Sequence, residues 1–90
     1  MERLEARVYG RVQGVMFRDF VERKAQSLSL LGYVYNEPEG TVCVVAEGEK
    51  ASLEKLVTLL HKGPLLAHVE KVDVSFLPPT NAPHSFTILL

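Results

Sequence analysis

Ninety residues, 47% of them hydrophobic, hold enough apolar side chain for one core and too much for a disordered chain. A formal net charge of −1 excludes a globally basic nucleic-acid binder, and a single cysteine, Cys43, excludes an internal disulfide or a cysteine-based zinc site. No apolar run is long enough to span a bilayer and Met-Glu-Arg-Leu-Glu carries no secretory h-region, so the expectation is one domain over 1–90, cytoplasmic and off the membrane.

Leu4, Ala6 and Val8 alternate with Arg3, Glu5, Arg7 and Tyr9, the period of a half-buried strand. The stretch Gly10-Arg11-Val12-Gln13-Gly14-Val15-Met16-Phe17-Arg18 leads from it into a helix, in which Phe17, Phe20, Val21, Ala25 and Leu28 recur at helical spacing to about Ser29. Tyr33-Val34-Tyr35 reads as a short strand, closed by the hairpin turn Asn36-Glu37-Pro38-Glu39-Gly40. Thr41 to Ala46 is β-favouring and continuous enough to be central. Leu53, Leu56, Val57 and Leu60 stripe a second helix that Gly63-Pro64 stops. Val69, Val72, Val74 and Phe76 mark a further strand, irregular near Glu70-Lys71, and a proline-rich connector leads to a last short strand at Phe86, Ile88 and Leu90.

The order βαββαβ with an appended strand predicts an α/β (α+β) ferredoxin-like sandwich, an antiparallel sheet with both helices on one face. Right-handed crossovers place the first and third strands side by side in the centre. The loop after strand one and Asn36 at the end of strand two then share one end of the sheet.

Two readings of the glycine loop stand on spacing alone. Its backbone can bend so that N–H groups gather before a helix N-terminus, where an anion is favoured. Arg18 in the first helical turn opposes the helix dipole, a conflict that a bound anion would remove. Alternatively, this is a tight turn whose arginine pairs with Asp19 or Glu22. It is neither a Walker A loop nor a dinucleotide fingerprint. Residues 1–24 carry six cationic and four acidic side chains, weakly consistent with an anionic ligand near the N-terminal third. Asn36 is a turn asparagine or an amide that positions a water. His61, His68 and His84 lack metal-ligand spacing, Cys43 reads as a small buried hydrophobe, and Glu37 and Glu39 read as a solvated turn.

The run G-R-V-Q-G-V-M-F-R resembles the signature loop of the acylphosphatases, small hydrolases of acyl phosphates. Gly32-Tyr33-Val34-Tyr35-Asn36, then Gly40-Thr41-Val42 and Gly48, is similar to the second motif of that family in residue types and spacing. Gly63-Pro64-Leu65-Leu66-Ala67-His68-Val69 extends the likeness to essentially the whole chain. The resemblance implies that Arg18 binds the phosphoryl group and that backbone N–H groups of Gln13, Gly14, Val15, Met16, Phe17 and Arg18 cradle its oxygens. It implies that Asn36 orients the attacking water, with no metal, no cofactor and no phosphoenzyme. The expected partner is a small acyl phosphate, with inorganic phosphate as product and inhibitor, acting on a monomer. The alternative is a non-catalytic module binding an anion or carbamoyl phosphate on the same fold. An RNA-binding version is set aside because Thr41 to Ala46 presents no aromatic for base stacking. Two positions depart from the family pattern. Tyr35 stands where a basic or small residue is usual, and Ser29 where glycine is usual, at a cost on the order of 1 kcal/mol if the backbone there is left-handed.

Overall fold

A computed structural model describes residues 1–90. The elements follow as β1 (Glu2–Arg11), α1 (Phe17–Ser27), β2 (Leu31–Asn36), β3 (Val42–Gly48), α2 (Lys50–Lys62), β4 (His68–Leu77) and β5 (Phe86–Ile88). The strands form one sheet in the order β4-β1-β3-β2-β5, so the first and third strands are adjacent at its centre as the crossover rule predicts. Leu4, Ala6 and Val8 of β1 lie opposite Ala46, Val44 and Val42 of β3. These six share a single core with Phe17, Phe20, Val21 and Ala25 of α1 and Leu53, Leu56 and Leu60 of α2. The apolar stripes of both helices therefore cover one face of the sheet. Neither helix is long and apolar enough to cross a membrane.

The last strand corrects the expectation of an all-antiparallel sheet. β5 pairs parallel with β2, Gly32 opposite Phe86 and Val34 opposite Ile88, which makes the sheet mixed. The reason is the path of the connector. It leaves β4 at one edge, stays at that end of the sheet, and enters the far edge running opposite to β4, which is the direction of β2.

Glu47 anchors this crossing. It is 1% exposed and accepts hydrogen bonds from Arg3 Nη1 (2.8 Å), Thr80 Oγ1 (2.6 Å), Thr80 N (3.0 Å) and Asn81 N (2.9 Å). Burial pushes its carboxyl up, but the bonds from Thr80, Asn81 and Arg3 outweigh that and hold it at about 2.

Two irregularities foreseen in the sequence are present. The β1–β4 register shifts between Tyr9 and Gly10, leaving Glu70 as the extra residue of a bulge. Gly10 sits there at φ +125°, and a Cβ would lie 2.2 Å from the His68 carbonyl oxygen, so only glycine fits. Helix α1 ends in a Schellman motif with Ser29 at φ 58°. Leu30 N–H reaches Ala25 O at 2.9 Å and Ser29 N–H reaches Gln26 O at 3.0 Å.

Two side chains differ from expectation. Cys43 points with Arg7 and Tyr35 to the face away from the helices and is only half-buried, because alternation in β3 sends Val42 and Val44 inward instead. Burial there pushes its thiol up, against the opposing effect of the neighbouring Tyr35 side chain. Glu37 is not a solvated turn residue. Arg7 grips it with two bonds of 2.7 and 3.0 Å, Thr41 Oγ1 donates at 2.7 Å, and its side chain is 12% exposed. These partners, Arg7 first and Thr41 next, hold its carboxyl below the usual range against the opposing effect of burial.

Candidate active site

The loop between β1 and α1 turns through two left-handed residues, Gly14 at φ 74° and Met16 at φ 62°. A non-glycine residue in that region is uncommon, so Met16 carries local strain at the entrance to the helix. The first backbone bond of the helix start runs from Phe20 N–H to Met16 O at 3.1 Å. No loop N–H from Gln13 to Met16 donates to a protein acceptor, and the N–H groups of Phe17 and Arg18 precede that first bond. Unpaired donors and the positive end of the α1 dipole thus coincide.

Gln13 contributes more than its backbone. Its Nε2 donates to the carbonyls of Glu37 and Thr41, both at 2.8 Å. That pair of bonds pins the loop to the β2–β3 hairpin that carries Asn36. The Arg7–Glu37–Thr41 contacts brace the same hairpin from the open side. Nothing local in the sequence signals this link, since the partners lie 24 and 28 residues away from Gln13.

Arg18 forms no ion pair and no hydrogen bond within the chain. Asp19 pairs instead with Arg23 at 3.0 Å across one helical turn. This removes the reading in which the loop arginine merely neutralises its neighbour. Asn36 closes β2 opposite Val42, on the helix-side face, and its Oδ1 is buried without any hydrogen-bond partner. A buried amide oxygen left unpaired costs about 1–3 kcal/mol, so a turn residue alone would not be built this way. Arg18 and Asn36 line one cavity of about 360 Å³ together with Gly14, Met16 and Phe17.

The other candidates stand apart from this cavity. Tyr35 stacks with Tyr33 on the open face at a centroid distance of 6.2 Å, as strand alternation predicts. The neighbouring Cys43 side chain and partial burial push its hydroxyl up to about 12. His61, His68 and His84 are exposed, and no three His, Cys, Asp or Glu side chains gather in a metal-binding group.

A small two-layer α/β domain with a strand–loop–helix turn of unpaired N–H groups, an unpaired arginine and an unpaired amide oxygen defines the class. A sequence model of the acylphosphatase family matches residues 4–88. An acylphosphatase of Salinibacter ruber is 44% identical over 97% of this chain and 92% of its own length. One from Thermus thermophilus is 53% identical over 84% of this chain and 86% of its own. The crystal structure of acylphosphatase from Bacillus subtilis superposes with a TM-score of 0.97 at 33% identity, covering all of both chains. The chain belongs to the acylphosphatase family.

Proposed function

We propose that Arg18, Asn36 and the loop from Gln13 to Arg18 hydrolyse an acyl phosphate to a carboxylate and inorganic phosphate. The observation that carries this reading is the coincidence, in one cavity, of an arginine without a partner and a buried amide oxygen without a partner. Arg18 takes two phosphoryl oxygens through its planar fork, and the unpaired loop N–H groups take the remainder. Phosphoryl transfer spreads charge over the equatorial oxygens, so fixed donors act most strongly at the transition state. Asn36 holds the attacking water through its carboxamide. The water oxygen bonds to phosphorus, the P–O bond to the acyl group breaks with its electron pair leaving as carboxylate, and the water proton ends on the product phosphate.

Such a leaving group has a conjugate acid of pKa about 4, so no general acid is required at neutral pH. A binding module for an anion needs the cradle but not Asn36, which is why the catalytic reading is preferred. The same reading takes the protein as a cytoplasmic monomer, with inorganic phosphate as product and inhibitor. Phosphate release from benzoyl phosphate in the presence of a chelator tests it. Turnover unaffected by the chelator is the expected result, whereas absence of turnover leaves only the binding module.

A further inference from the structure

The phosphoryl machinery occupies only part of the space it lines. A phosphate has the bulk of a few water molecules of about 30 Å³ each, yet the cavity holds about 360 Å³, a size typical of sites for whole small organic ligands. Five of the nine residues around it are apolar, Val12, Met16, Phe17, Ile88 and Leu90. A second cavity of about 260 Å³ shares Arg18, Asn36 and Leu90 and adds Tyr35 and Leu89. Arg18 is the only cation in either.

Topology explains why the end of β5 arrives here. β5 runs parallel to β2, so residues 88–90 emerge beside Asn36 at the cradle end of the sheet. Leu89 N–H bonds to Val34 O at 2.9 Å, which ties this segment to β2. Met16 is 72% exposed, Leu89 44% and Leu90 fully exposed. Large apolar side chains at the mouth of a polar cradle gain free energy if a ligand removes them from water.

Resting on the phosphoryl reading of Arg18 and the loop, we infer that Ile88, Leu89 and Leu90, with Val12, Met16 and Phe17, form the subsite for the acyl group. The substrates it fits are acyl phosphates with an apolar, uncharged acyl part, an aliphatic chain of four or more carbons or an aryl ring. A second anionic group on the acyl part meets no free cation, since Arg18 is committed to phosphate and is the only cation lining either cavity.

Methyl-, butyl- and hexylphosphonate test the subsite, because their C–P bond resists hydrolysis and calorimetric binding needs no turnover. Three added methylenes, each about half-buried, raise affinity roughly tenfold from methyl- to butylphosphonate. Butyryl phosphate is expected to exceed succinyl phosphate at least about tenfold in kcat/KM. The double variant Leu89→Ser/Leu90→Ser changes exposed side chains only and keeps the backbone bond to Val34. It should cut the butyl-to-methyl ratio to about threefold or less, with inorganic phosphate affinity and thermal midpoint unchanged. A flat phosphonate series while inorganic phosphate still binds overturns the subsite alone. A chain-length gradient that survives intact in the double variant also overturns it. Failure of inorganic phosphate to bind at all overturns the cradle and the subsite with it.

Discussion

Arg18 occupies the second position of α1, where a cation opposes the helix dipole and costs from a few tenths to about 1 kcal/mol. Asn36 buries an amide oxygen with nothing to accept from. Each residue is unfavourable for the isolated fold, and both defects lie on one cavity, so one ligand system relieves both. Their parts in that system differ. In the proposed mechanism Arg18 holds the phosphoryl group in ground and transition states alike, so Arg18→Ala should lose phosphate binding and turnover together. Arg18→Lys should rescue little, since a point charge cannot reproduce two planar donors. In the same mechanism Asn36 touches only the water, so Asn36→Ala should keep phosphate affinity while turnover falls about 10²–10³. Calorimetry with phosphate and benzoyl phosphate kinetics on these three variants separate the roles. Full turnover in Asn36→Ala would return Asn36 to a turn residue.

At the scale of elements, local patterns and long-range contacts divide the legible from the illegible. Helix α2 was readable because Leu53, Leu56 and Leu60 repeat at helical spacing, all fully buried, and because Gly63 ends it at φ 67°. The tight turn of the loop into α1 was readable because glycines and helix start are contiguous. Ser29 stood out only through the family resemblance, which has glycine there, and it occupies the left-handed slot of the Schellman motif. Ser29→Gly should therefore stabilise the domain by roughly 0.5–1 kcal/mol, with turnover unchanged. Urea melts at equal slope decide this, and a glycine variant that unfolds earlier would contradict it. The parallel pairing of β5 was not readable, because it depends on which end of the sheet an irregular connector follows. Nor was the side chain of Gln13, whose two acceptors are set by the packing of a hairpin onto a loop.

For the whole molecule, the candidate site and the Glu47 anchor lie at opposite ends of the sheet. Asn36 stands opposite Val42 at one end of β3, and Glu47 lies five residues along, roughly 17 Å away at strand rise. Glu47 joins β1, β3 and the connector that delivers β5, so the segment forming the apolar wall of the site is held from the far end. Its carboxyl is held at about 2, against 4.5 for a free glutamate. A carboxyl lowered on folding stabilises the native state only while it is ionised. The contribution is complete above the free value and drains away as pH falls from about 4.5 towards 2. A difference of that size corresponds to on the order of 3 kcal/mol at neutral pH. Glu37 shifts in the same direction and adds to the same acid limb. Glu47→Gln should thus be less stable at pH 7, lose stability less steeply than wild type between pH 5 and pH 3, and keep benzoyl phosphate turnover at pH 7. Denaturant melts of both proteins at pH 7, 5 and 3 measure this. Equal acid slopes would mean that Glu47 is not the group whose protonation loosens the connector, and lost turnover at pH 7 would mean that the two ends of the sheet are coupled.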